Sequence, residues 1–363
     1  MNKEKIEKDF ETYQLKKKEN LEQNKEIKGK HIRIIIRPLL RLALFIQRKL
    51  KKQNVQIIGN KNYVLPKDRP VIFSVSHIGK YDFEIVNELI SEQFYILLSD
   101  YRNMHGNFNG FMVNLFGCVF VNEISKEDRI NSSLTMKKIL NTKAFGKPLN
   151  AMIFGEGTWN LSENEIIYDI SFGTVDIAMS TNGVILPIGI EQYENNFIVN
   201  FGEIYDPNLI AKTITNIPYN QLNLNNPKEK SLQYIIKEFT NNELRDRLAT
   251  LKYEIWEKNG IVKRESIQVD YWKRYIEERL KEWPGYSMQE QIDSVYHPKY
   301  KIEYEQVKDD LKKVKPNENN QFMFIDDSKI KRYVNAYNRK EEIRESLETE
   351  RKNNKPKILQ KII

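Results

Sequence analysis

The stretch SVSHIGKYDFEIV, residues 74–86, sets a histidine and an aspartate five positions apart, between an apolar run and an amphipathic one. The run before it, VIFSV at 71–75, has the β-branched and aromatic composition of a buried strand. The segment after it, 82–90, has helical spacing. In an open α/β sheet the C-terminal ends of strands present ligands, and His77 follows such an end. Histidine is the side chain whose ordinary pKa, about 6.5, best suits proton removal near neutral pH. On a continuous helix an offset of five residues is about 140°, which would send His77 and Asp82 apart. Gly79 lets the chain leave helical geometry, so that Asp82 at the start of the next helix can turn back and accept a hydrogen bond from His77 Nδ1. Nε2 then faces outward as a base. The same spacing also fits a loop histidine beside a simple N-cap.

Outward from this stretch, between residue 55 and about residue 202, short apolar runs alternate with helical patterns, the signature of an α/β domain. Strands are expected at 71–75, 94–98, 118–121, 151–154, 184–190 and 197–201, and helices at 82–90, 126–140 and 174–180. Residues 240–260 open with a Thr240 to Glu243 capping-box pattern, carry Leu244, Leu248, Leu251 and Ile255 on one face, and stop at Asn259-Gly260. That helix is expected to close a domain spanning 53–260. Beyond it, 269–285 reads as a helix stopped by Pro284-Gly285, and 261–363 as a charged, mostly helical extension.

The chain's 363 residues, 40% of them hydrophobic, suffice for one large core with extensions. Its single cysteine, Cys118, excludes an internal disulfide and suits a reducing compartment. The charged opening MNKEKIEKDFETYQLKKKEN has no apolar core of a secretory signal. The net charge of +8 comes with no zinc-finger spacing, RNA-binding aromatic signature or P-loop, so no nucleic-acid partner and no metal site is expected.

Residues 1–30 alternate Lys and Glu and read as a solvated helix or disordered arm outside the fold. Residues 31–52 mix apolar side chains with Arg33, Arg37, Arg41 and Arg48 and are too interrupted to span a bilayer. On one helix the four arginines fall within roughly 80° of one another. Two placements remain open: a helix in a membrane interface with guanidinium groups among lipid phosphates, or a core-packing helix with a basic outer face. Pro38 leaves open a break, with the longer helix starting beside it.

SVSHIGKYD resembles the first block, Asn-His-x4-Asp, of the glycerophospholipid acyltransferase family, which acts on lysophospholipids and 1-acylglycerol-3-phosphate. Three further blocks follow in the family's order: FGCVFVNE (116–123) is similar to Gly-x-x-Phe-Ile-x-Arg, FGEGTWN (154–160) to Phe-Pro-Glu-Gly-Thr-Arg, and VILPIGI (184–190) to the apolar strand containing proline. The resemblance covers about 56–202. It implies one acyltransferase-type α/β domain with a mixed central sheet flanked by helices, and helical N- and C-terminal extensions. It also implies transfer of a fatty acyl group from a thioester, carried by coenzyme A or acyl carrier protein, to a hydroxyl of a lysophospholipid or other lipid-linked acceptor. No permanently bound cofactor is implied. In that reading His77 takes the hydroxyl proton, Asp82 fixes its tautomer, and Glu123, Glu156, Gly157, Thr158 and Trp159 bind the acceptor. Direct transfer agrees with the lack of a Gly-x-Ser-x-Gly elbow. Oxyanion donors would be backbone amides around Gly155 and Gly157 or at the helix start after His77.

The departures fall where the family grips a phosphate. Glu123 ends the second block and Trp159 follows the threonine of the third, so two expected arginines are missing. An acid repels phosphate, which argues against an unmodified lysophosphatidic-acid pocket. Lys80, Lys126 and Arg129 are the nearby candidates for anion binding, and Trp159 offers an aromatic face to a sugar or an acyl groove. A protein of this kind would sit on the cytoplasmic face of an anionic membrane, held by 32–50. The rival is a catalytically silent membrane-binding or scaffold protein of the same fold.

Overall fold

A computed structural model describes residues 3–59, 63–99, 101–122, 125–157, 159–160, 166–168, 170–193, 195–215, 218–222 and 227–261. In chain order the elements are α1 (Lys3–Glu22), α2 (Lys30–Leu50), β1 (Asn54–Gly59), β2 (Val71–Val75), α3 (Asp82–Leu89), β3 (Phe94–Leu98), α4 (Tyr101–Met104), α5 (Phe108–Phe116), β4 (Cys118–Phe120), α6 (Lys126–Leu140), β5 (Lys143–Ala144), β6 (Lys147–Pro148), β7 (Asn150–Phe154), α7 (Gly173–Ser180), β8 (Val184–Tyr193), β9 (Asn196–Phe201), α8 (Pro207–Thr215) and α9 (Pro227–Asn259). The chain divides into two compact units. The first takes Met1–Val75, Lys80–Phe154 and Asp176–Tyr205; the second takes Ser76–Gly79, Gly155–Val175 and the chain from Asp206 onward.

The first unit is built on a seven-stranded sheet in the order β1-β9-β8-β2-β7-β3-β4. Every neighbouring pair is parallel except β8 and β9, which form an antiparallel hairpin with Tyr193 opposite Asn196, so the sheet is mixed, as expected. All five residues of β2 are buried, which is why its sequence runs apolar instead of alternating. The expected strands and helices of this region form close to their expected bounds. β1, α4, α5 and the short antiparallel pair β5 and β6 complete the unit without having been expected. At the joint of α5 and β4, Gly117 has φ +102°, and a Cβ there would stand 2.9 Å from the Tyr95 ring, so only glycine fits.

Two N-terminal expectations are corrected. α1 is part of the fold: Ile6, Phe10, Tyr13 and Lys17 recur at helical spacing along one face. Ile6 and Phe10 are buried, and Phe10 stacks on Tyr101 with ring centroids 4.4 Å apart. Lys17, 5% exposed, donates to Phe120 O at 2.7 Å, Asp128 Oδ2 at 2.8 Å and Ser132 Oγ at 2.7 Å. A lysine in the apolar stripe hid the stripe.

α2 runs unbroken through Pro38, which lies on an exposed side. Its arginines point inward. Arg37, 2% exposed, donates to the Asn87 side chain and, through Nη2, to Asn87 O at 3.0 Å and Ile90 O at 2.8 Å. Arg41 donates to Glu88 O at 2.8 Å, and Arg48 makes a two-pronged pair with the Glu88 carboxylate at 2.6 and 2.7 Å. The Asn87 and Glu88 carbonyls are among the last of α3, with no partner within their own helix, Ile90 caps its end, and a cation is favoured there. Burial, with Arg41 adding to it, lowers the Arg37 guanidinium to about 9, so it stays charged at neutral pH. The apolar residues Ile32, Ile35, Leu39, Leu42, Ile46 and Leu50 are left exposed. Neither the arginines among lipid phosphates nor the basic outer face describes this helix.

In the second unit α9 starts at Pro227, ahead of the capping-box pattern. Thr240 is therefore interior to the helix, its hydroxyl donating to Ile236 O at 2.7 Å instead of capping. Leu244, Leu248, Leu251 and Ile255 are buried, and the helix stops before Gly260, whose φ is +63°. The expected helix at 269–285 and the rest of the extension from residue 262 lie outside the described residues.

Candidate active site

β2 ends at Val75 and β7 at Phe154, and these two residues are register partners in a parallel pair. The chain continues from them as the segments beginning at Ser76 and Gly155, both of the second unit. Within that unit His77 is held by its main chain from two sides. Its N–H donates to Glu156 Oε1 at 2.8 Å, and its carbonyl accepts from Asn160 N–H at 2.6 Å. The imidazole, on a half-buried residue, meets the Trp159 indole edge to face, with ring centroids 6.1 Å apart and planes at 88°.

The segment opposite His77 is braced in turn. Glu156, 9% exposed, accepts Tyr168 N–H on Oε2 at 2.9 Å. Ser171 N–H donates to Gly155 O at 2.7 Å and closes the loop at its base. Asn241 of α9 donates through Nδ2 to Ile170 O at 2.7 Å. Gly157 turns with φ +68°, and a side chain there would meet nothing within 4 Å, so the glycine serves the turn and not a close approach. The arrangement fixes an imidazole on a braced backbone with an aromatic wall.

Asp82 is the first residue of α3, in the first unit, and is fully buried. A carboxylate in the first helical turn is favoured by the unpaired amides there. Lys80 precedes α3, and Lys126 and Arg129 lie in the first turn of α6, also in the first unit; Lys126 is exposed. Glu123 and Thr158 lie outside the described residues. His77, Glu156, Gly157 and Trp159 are thus the described site residues that the second unit contains. Among the described residues, no cluster of three or more His, Cys, Asp or Glu could hold a metal ion.

Sequence reasoning missed Asn160, Tyr168 and Asn241. The first two act through main-chain amides, which no side-chain pattern encodes. Asn241 was hidden by reading Thr240 as a cap: in a helix that starts earlier, 241 is an interior position free to aim its amide at a neighbouring loop.

Residues 54–191 match the family model described as Acyltransferase. The matched segment includes both His77 and Glu156, and the match supports acyl-transfer activity. Among solved structures the chain is similar to the 1-acyl-sn-glycerophosphate (LPA) acyltransferase PlsC from Thermotoga maritima, at 13% identity over 61% of this chain and 83% of that one, with a TM-score of 0.39. A comparison with curated proteins returns no match.

Proposed function

We propose that the protein transfers a fatty acyl group from a thioester of coenzyme A or acyl carrier protein directly to the hydroxyl of a lysophospholipid or other lipid-linked alcohol. His77 removes the hydroxyl proton as the oxygen attacks the thioester carbonyl, and Asp82 accepts from Nδ1–H and stabilises the imidazolium. The tetrahedral oxyanion is met by backbone amides around Gly155 and Gly157 or at the helix start after His77, and its collapse expels the thiolate, which takes the proton back from Nε2. The observation that carries this reading is the braced His77 backbone beside Trp159, inside the segment that matches the family. Glu123, where the family has arginine, favours an acceptor without a phosphate at that point; Lys80, Lys126 and Arg129 are the alternative anion contacts.

Thioester consumption with lysophospholipid vesicles tests the assignment. His77→Ala is expected to lower turnover by roughly 100-fold to 10,000-fold, the usual worth of a general base, and Asp82→Asn by less. Lipid binding that persists while neither parent nor variant consumes thioester would favour the silent scaffold.

The enzyme works at the cytoplasmic face of a membrane as a peripheral protein. Among the described residues no helix is long and apolar enough to cross one. The exposed apolar stripe of α2 supports contact with the acyl region, and α5, which packs against α2, exposes Phe108 and Phe111.

A further inference from the structure

We propose that Glu156 is a positioning residue whose carboxylate holds the His77 backbone, and that it does not bind the acceptor. The proposal rests on the reading of His77 as the base. A buried carboxylate meets two main-chain amides here, one per oxygen: His77 N–H at 2.8 Å and Tyr168 N–H at 2.9 Å. Hydrogen bonds to an ionised acceptor are short and about twice as strong as neutral ones. Together with Asn160 N–H on the His77 carbonyl, they pin both polar groups of the His77 main chain to one segment. That segment is itself tied down at Gly155 by Ser171 and at Ile170 by Asn241.

The side chain's direction separates the two roles. A group that recognises an acceptor hydroxyl presents an oxygen to the substrate, whereas each Glu156 oxygen is directed at an amide of the protein's own loops and the residue is almost wholly covered. The His77 ring is carried on the backbone that Glu156 grips, so releasing the carboxylate displaces the base while leaving acceptor contacts in place. A misplacement of about 1 Å at a reacting group costs on the order of 100-fold in rate.

Glu156→Gln is nearly isosteric but keeps a single acceptor oxygen and sets an NH2 against the other amide. It is expected to lower kcat by roughly 10-fold to 100-fold, with the KM for a lysophospholipid acceptor within about 2-fold of the parent. Unchanged kcat with a KM raised in proportion to the loss would overturn the proposal and restore acceptor binding. The second measurement needs no turnover. The chain has four histidines, so labelling with 15N-histidine gives four backbone amide signals, and His77→Ala identifies one of them. In the parent the His77 amide should lie at low field and exchange slowly; in Glu156→Gln and Glu156→Ala it should move upfield and exchange at least about 10-fold faster, while the His31 and His105 signals stay and report an intact fold. An unmoved His77 signal in both variants would sink the clamp. If the signal moves but His77→Ala turns over at the parent rate, the clamp stands and the base assignment falls.

Discussion

α1 and α2 are consecutive helices of nearly equal length, and each is oriented against its composition. α1 is charged almost throughout, yet it buries Ile6 and Phe10 and sends Lys17 inward to a carbonyl, a carboxylate and a hydroxyl. α2 turns its arginines, together with Leu40 and Leu44, toward the domain and leaves Ile32, Ile35, Leu39, Leu42, Ile46 and Leu50 exposed. Amphipathic spacing establishes that a helix has two faces; which of them is covered depends on what the neighbour offers. α3 offers α2 its terminal carbonyls and the Glu88 carboxylate, acceptors that an apolar face would leave stranded. β4 and α6 offer Lys17 the Phe120 carbonyl and Asp128.

The largest effect is expected from breaking α1. In Lys17→Ala, Asp128 loses its buried cation, and removing one partner of a buried pair costs roughly 3–5 kcal/mol. Burial lowers the Lys17 pKa, while its hydrogen bond and charge pairing with Asp128 work the other way. Asp128 also accepts the Asn122 amide at 2.7 Å, so the chain just past β4 should loosen as well. Urea unfolding measures the first consequence and amide exchange at Asn122 the second. A loss under about 1 kcal/mol would mean that α1 is an accessory arm after all.

Arg37→Ala comes next, at about 3 kcal/mol, because it leaves the Asn87 side chain and the carbonyls of Asn87 and Ile90 without their donor. Arg37→Lys should recover only part of that: a point charge cannot reach three acceptors as a planar fork does. Urea unfolding again decides. If Lys restores the parent's stability, charge alone matters at this end of α3.

The sheet was legible because β2, β3, β4, β7, β8 and β9 are short apolar runs bounded by polar turns, and buried parallel strands cannot be written otherwise. β1 was not, since only Ile58 of its six residues is buried, as befits an edge strand. His77 was legible from its place after a strand and before a helix N-terminus. The neighbours that hold it were not, because Asn160 and Tyr168 contribute amides that every residue but proline owns. The inward turn of α2 was illegible for a related reason: its partners are carbonyls at the end of another helix, and no side-chain pattern announces them.

The smallest effect on folding, and the sharpest use of the comparison, belongs to the outer face of α2. Ile35 and Leu39 are each 67% exposed, so Ile35→Glu with Leu39→Glu should change stability by no more than about 0.5 kcal/mol. If that face enters the acyl region, the pair should weaken sedimentation with phosphatidylcholine vesicles by on the order of 100-fold, because burying one such side chain is worth about 1.5–3 kcal/mol. Salt separates this contact from an electrostatic one. A basic residue at an anionic surface contributes about 1 kcal/mol that salt screens away, but the four arginines are directed at the protein's own groups. Binding of the parent to vesicles that also contain an anionic phospholipid should therefore fall by no more than a few-fold when salt is raised from about 0.05 to about 0.5 M, well short of the steep loss that screening of several basic contacts would produce. A steep salt dependence, with the Glu variants binding like the parent, would mean that cations elsewhere hold the membrane and that the apolar stripe meets something else.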